Sequence, residues 1–207
     1  MGRSWPYLVL LLPPLFWAGN FIVGRAFSAE LGAITMSFYR WLLALCLLAP
    51  FAYSRVRQEL PIILNHLPIL TVLALLSVAS FNVLLYLGLR DTEATNALLI
   101  NSSIPVWIVL FGVLFYNDSL TLRRGLGILV SLLGVSFLIF SGQSQGLTVN
   151  PGDLWVMSSS IGWALYSLTL RKKPSDLSGL GFLAYIVLFG VCFNGLLLVI
   201  NPLGEAP

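Results

Sequence analysis

Charge is what this sequence has least of. Only 9% of its 207 residues are Asp, Glu, Lys or Arg, against about 25% in a soluble domain, so a water-soluble globule is excluded. The net charge of +3 is small and falls in short connecting segments, which gives no case for nucleic acid as a partner. Cysteine is scarce as well. Cys46 and Cys192 lie inside apolar runs without CxxC or Cys/His spacing, and read as small packing residues rather than metal ligands or a redox pair. The single histidine, His66, stands just before an apolar run with no partner at ligand spacing. No Ser with His or Lys, no paired Asp and no HExxH falls at membrane depth. Hence no catalytic residue, metal site or cofactor is assigned, and an intramembrane enzyme is disfavoured.

What is present is a series of seven apolar runs, approximately 7–23, 34–53, 67–87, 96–116, 124–140, 152–170 and 180–200. Each is close to the 17–25 residues a helix needs to cross roughly 30 Å of hydrocarbon. The fold class expected is therefore all-α, a polytopic membrane helix bundle of about seven transmembrane helices. Short links make neighbouring helices antiparallel. The N-terminal run lacks a small-x-small cleavage site and reads as a retained first helix. Pro6 also breaks the myristoylation pattern. Pro13-Pro14 should kink that helix. Lys and Arg set the orientation: Arg3, Arg55, Arg57, Arg123, Arg124, Arg171, Lys172 and Lys173 fall on one side. Only Arg25 and Arg90 fall on the other, and Arg40 lies within the second run. The positive-inside rule then places the N-terminus in the cytoplasm of a cell whose inner (plasma) membrane the chain crosses several times.

The hairpin of the fourth and fifth runs carries a division of labour. The fourth begins with Asn96, Asn101, Ser102, Ser103 and Pro105, polar or helix-breaking groups that must face protein or a water-filled space. The fifth carries Gly127, Ser131 and Gly134 at i, i+4 and i+7, a smooth stripe suited to close helix approach. A weak internal repeat links the first and sixth runs. Trp17-Ala18 through Arg25 echoes Trp163-Ala164 through Arg171, and the two runs have opposite orientation. Inverted repeats of this kind place a binding site at the repeat interface near mid-membrane.

Taken in order, these features resemble the drug/metabolite transporter superfamily, and within it the EamA-domain permeases. Phe16-Trp17-Ala18-Gly19-Asn20-Phe21 resembles the family's opening W-G-x-N/S-F pattern, and Phe38-Tyr39-Arg40-Trp41 its aromatic/apolar-Arg motif. Ile104-Pro105 stands at its S-x-x-P-like site, and 125–134 looks like its G-x-x-L-x-x-x-G stripe. Asp118 stands where the family usually has Glu. The resemblance implies ten helices built as five plus five. Here residues 1–143 supply a complete first repeat of five helices, and 144–207 only a partial second repeat of two. A fragment or early-terminated product is favoured, with a homodimer as the alternative if the chain is complete.

Helical spacing gathers four sets of side chains that could line a solute path: Trp17 and Asn20; Asn82 and Tyr86; Asn101, Ser102 and Pro105; Trp163 and Tyr166. Together they suit neutral or zwitterionic metabolites such as amino acids. Each set has a structural alternative. Trp near a helix end can be an interfacial belt residue, and Asn or Ser can be interhelical glue, the reading preferred for Asn194. Arg40 is assigned a gating or structural role with Gly127 and Gly134, its head able to snorkel to the interface. All eight acids (Glu30, Glu59, Asp91, Glu93, Asp118, Asp153, Asp176, Glu205) are placed in loops or at helix ends. Proton pumps usually bury a carboxylate whose pKa is raised by its surroundings, so obligate proton antiport is disfavoured.

The function expected is a permease moving small metabolites, in the efflux direction, by alternating access, with the solute and the lipid bilayer as partners. The competing reading is a truncated or partner-dependent membrane protein that does not transport. The seven-span topology predicts that a periplasm-active reporter fused after Pro207 is active and a cytoplasm-active one silent; the reverse pattern means an even number of spans.

Overall fold

The computed structural model describes residues 7, 9–27, 30–141 and 150–200. Arg3, the repeat boundary expected at Gln143, and Glu205 with the terminal segment lie outside the described residues. Seven helical rods follow one another: α1 Leu12–Phe27, α2 Ala33–Asn65, α3 Leu67–Asp91, α4 Ala94–Tyr116, α5 Leu122–Ser141, α6 Pro151–Thr169 and α7 Gly179–Ile200. Four of them, α2, α3, α4 and α7, are long and apolar enough to cross a membrane. Large apolar side chains such as Phe51, Val130, Leu133 and Val199 are exposed, as expected of a bundle solvated by lipid.

Local chemistry explains where the rods bend. Tyr7 and Val9 are helical, Leu10 and Leu11 form a turn, and α1 restarts at Leu12 with Pro13 and Pro14 in its first turn. The expected kink is thus a break followed by a fresh start, the position that best tolerates proline's missing N–H. Within α4, Ser102 and Ser103 form a turn between Ala94–Asn101 and Ile104–Tyr116. Pro105 cannot donate to the carbonyl four residues back. At the same turn Ser102 Oγ donates to Leu99 O (2.6 Å).

Two expectations are corrected. The second helix does not end near Tyr53: α2 runs 33 residues to Asn65, about 50 Å at 1.5 Å per residue. Hydropathy falls after Tyr53, but Arg55, Arg57, Gln58, Glu59 and Leu60 are good helix formers and carry the rod on. Glu59 is consequently neither in a loop nor at a helix end. It is buried within α2, where its Oε2 accepts from Ser178 Oγ (2.9 Å) and its Oε1 from Ser178 N (3.4 Å). Ser178 Oγ in turn accepts from Gly181 N (3.0 Å), capping the start of α7.

α3 is the central rod. A π-helical turn at Leu75–Ala79 divides it, and its two halves enter different cores. Leu70, Leu73, Ala74 and Val78 pack with Ile63 of α2 and with Phe182, Ile186, Val187 and Val191 of α7. Beyond the π turn, Phe81, Leu85, Tyr86 and Leu89 pack with Phe21 of α1, Ala97 of α4 and Val156 of α6. α3 meets α6 through facing glycines: a Cβ on Gly88 would lie 2.7 Å from Gly152 O, and one on Gly152 2.5 Å from Gly88 O. Backbone opposes backbone there, so neither side can yield.

By contrast a Cβ on Gly127 or Gly134 of α5 meets nothing within 4 Å. The small-residue stripe has no helix against it among the described residues. Gly88→Val should therefore lower stability by about 1–3 kcal/mol through overpacking. Gly134→Ala should leave it unchanged or raise it by up to about 1 kcal/mol through helix propensity. Thermal unfolding of the detergent-solubilised protein measures both, and equal losses would contradict this packing.

Candidate functional site

A cavity of about 300 Å³ lies where α1, α2, α3, α6 and α7 meet. One wall is aromatic. The Trp17 and Trp163 rings meet edge to face at 5.3 Å, Phe81 lies 4.8 Å from Trp163 and 5.8 Å from Trp17, and Tyr166 lies 5.0 Å from Trp163. The residues paired by the internal repeat, Trp17 and Trp163, thus touch one another. Leu183 and Ile186 of α7 close the apolar side.

The other wall is polar and centres on Arg40. Its Nη1 donates to Asn20 Oδ1 (2.7 Å), Asn82 Oδ1 (2.6 Å) and Tyr86 Oη (2.8 Å), while Tyr86 Oη donates to Asn20 Oδ1 (2.7 Å). The guanidinium carbon stands 5.2 Å from the Trp41 ring centroid, a cation–π distance. Arg40 turns inward and ties α2 to α1 and α3. The π turn helps to set this geometry: Ser80 N reaches Leu75 O five residues back (3.1 Å). That extra residue re-aims the following turn, which carries Phe81 and Asn82 into the cavity.

Of the side chains expected to line a solute path, Trp17, Asn20, Asn82, Trp163 and Tyr166 do surround this one cavity. Tyr86 is buried behind it and contributes its hydroxyl to the Arg40 cluster. Asn101, Ser102 and Pro105 lie elsewhere. Asn101 is buried with no partner for Nδ2 among the described residues, and Ser102 and Pro105 are exposed. Sequence reasoning missed Trp41, Ser77, Val78, Phe81, Leu183 and Ile186 as lining residues; only Trp41, adjacent to Arg40, left any trace. Asn194 is fully buried and donates from Nδ2 to Ser37 Oγ (3.0 Å), joining α7 to α2.

The cavity is sealed toward one end of the bundle. Beyond it in that direction, Phe21, Leu85, Leu89 and Val156 are all buried. Polar ties then bind the helix ends: Arg25 Nη1 donates to Leu89 O (2.5 Å) and Arg90 O (2.6 Å), Thr92 Oγ1 to Asp153 Oδ1 (2.7 Å), and Asn150 Nδ2 to Asp91 O. In the other direction Pro13, Phe16 and Leu183 at the cavity wall are exposed, Phe16 to 75%.

That opposite end carries an ion pair. Arg171, after α6, reaches Asp118, after α4, through two parallel contacts (Nη1–Oδ1 3.0 Å, Nη2–Oδ2 2.8 Å). Arg171 and Lys172 both lie 5.5 Å from the Tyr116 ring. Asn117 in the left-handed region, φ 53°, turns the chain so that Asp118 folds back against Gly112, where a Cβ would lie 2.6 Å from its Oδ2. The shorter carboxylate at this position is thus fully engaged.

Residues 4–140 of the chain match the EamA-like transporter family. The chain belongs to that family. Relatives along most of its length include an uncharacterized transporter of Archaeoglobus fulgidus, 28% identical over 193 residues, which are 92% of this chain and 66% of the relative. One from Methanothermobacter thermautotrophicus is 27% identical over 180 residues, 80% of this chain and 52% of the relative. The uncharacterized transporter YyaM of Bacillus subtilis is 28% identical over 122 residues, 58% of this chain and 40% of the relative. The chain thus spans between 40% and 66% of the length of these curated relatives. The EamA match and the apolar helices make it a multi-pass membrane protein of the drug/metabolite transporter superfamily.

The Arg171 hydrogen bonds, reinforced by its charge and that of Arg124, hold the Asp118 carboxyl below its ordinary 3.8. A depressed pKa contributes stability that is fully present above the unfolded-state value and lost as pH falls through the folded-state one. The stability difference between the unaltered protein and Asp118→Asn should accordingly be constant at neutral pH and shrink only below about pH 4. Thermal melts of both proteins across that range measure it, and a difference that vanishes near pH 6 would contradict the assignment.

Proposed function

We propose that this chain forms the substrate-binding part of a plasma-membrane permease, which moves small metabolites such as amino acids out of the cell by alternating access. The observation that carries the reading is the cavity itself: a cluster of neutral hydrogen-bonding groups around one guanidinium, faced by four aromatic rings, inside a bundle of an established transporter family. Its volume is at the lower bound of small-molecule sites, about 300–1,000 Å³, which suits a solute of amino-acid size. The sealed end and the opposite, less covered end support one state of an alternating-access cycle. With the N-terminus cytoplasmic, the less covered end faces the cytoplasm, the side from which an exporter loads.

No carboxylate lines the cavity among the described residues. Glu59, the buried acid in α2, is taken up in capping α7. Transport driven by the solute gradient or by exchange fits this arrangement better than obligate proton antiport.

Reconstituted in proteoliposomes, the full chain should release preloaded amino acid. Asn82→Leu should reduce that flux by about tenfold or more, since it replaces one acceptor of the Arg40 cluster, and a polar group of the cavity wall, with an apolar side chain. Unchanged flux in a folded Asn82→Leu protein would favour a non-transporting scaffold. Flux with strictly coupled proton movement would overturn the gradient-driven reading.

A further inference from the structure

We infer that the cavity selects solutes carrying a carboxylate, which docks on the free edge of the Arg40 guanidinium while an apolar or aromatic body lies against Trp17, Phe81 and Trp163. This rests on the reading of the cavity as the solute site. All three side-chain hydrogen bonds of Arg40 leave from Nη1. Among the described residues Nη2 and Nε have no hydrogen-bond partner, and Arg40 remains exposed although it sits in the cavity wall. The cluster that holds it, Asn20, Asn82 and Tyr86, is neutral throughout. Among the described residues Arg40 forms no ion pair, so none of them supplies its charge with a counter-ion.

A cation within an apolar bundle is costly unless paired, and neutral dipoles on one nitrogen offset only part of that cost. Two N–H groups on adjacent nitrogens form the planar fork that receives a carboxylate bidentately. The pinned Nη1 fixes the orientation of that fork before any ligand arrives, so little ordering entropy remains to be lost on binding. The wall opposite offers rings and no acid. An ammonium group gains at most a cation–π contact there; a carboxylate gains a charge-assisted pair. The cavity therefore favours the acid function of an amino acid, or of an aromatic monocarboxylate, over an amine.

The test uses the full chain purified in detergent and three probes that share a phenyl body: 3-phenylpropanoate, 3-phenylpropanamide and phenethylamine. Binding is read by calorimetry and by the fluorescence of the cavity tryptophans. The propanoate should bind about tenfold or more tightly than the amide or the amine, the margin expected of a charged hydrogen-bonded pair. Arg40→Gln should erase that preference, and Arg40→Lys, which keeps the charge but not the fork, should restore part of it. Equal binding of all three probes would overturn the carboxylate assignment and leave the cavity standing as a solute site. Binding of none would overturn both. The comparison of acid with amide in the unaltered chain decides the matter even if the Arg40 variants do not fold.

Discussion

A guanidinium placed inside an apolar bundle has to find its hydrogen bonds there, and much of this structure follows from that need. Arg40 comes from α2, Asn20 from α1, and Asn82 and Tyr86 from α3. For one nitrogen to meet all three acceptors, the three helices must share a single register. Sliding any of them by one turn, about 5.4 Å, would strand a charge or an amide in a medium with no water to replace the lost partner. The polar cluster is therefore a positional device as well as a chemical surface.

α3 makes that register reachable. Its π turn interrupts an otherwise regular rod at mid-length, so that Ser77 and Val78 within it and Phe81 and Asn82 after it all look into the same cavity. A regular 3.6-residue helix would carry positions 77 and 82 away from each other, whereas one extra residue in the turn brings them back. Around it the helices are held by the two side-chain cores, and at one crossing by backbone against backbone, where Gly88 faces Gly152. Ordered aromatic rings then have a rigid frame behind them.

The ends of the bundle are fixed by different chemistry from its middle. Carbonyls at the end of α3 receive Arg25 and Asn150, and Thr92 reaches the capping carboxylate of Asp153. At the other end charged groups take over: Asp118 with Arg171, and Glu59 with the first turn of α7. Both of these latter contacts join the first five helices to the last two, across a large separation in sequence.

Composition and periodicity were sufficient for the membrane class, the seven rods and the break at Pro13-Pro14, because hydrocarbon imposes length and apolarity on every span regardless of its neighbours. The helical spacing of Trp17 with Asn20, Asn82 with Tyr86, and Trp163 with Tyr166 was legible for the same reason: residues three or four apart share a face. Which faces meet was not legible. Asn101, Ser102 and Pro105 look like a lining by composition yet lie away from the cavity, and the glycine stripe of α5 meets no helix among the described residues. Hydropathy likewise cannot see that α2 continues through its charged stretch, nor that α3 gains a residue at a π turn. The inward turn of Arg40 depends on acceptors 20 residues before it and 42 and 46 residues after it. Only the tertiary fold brings those together, since a side chain's hydrogen bonds depend on distance in space, and sequence spacing reports that distance only within a single helix.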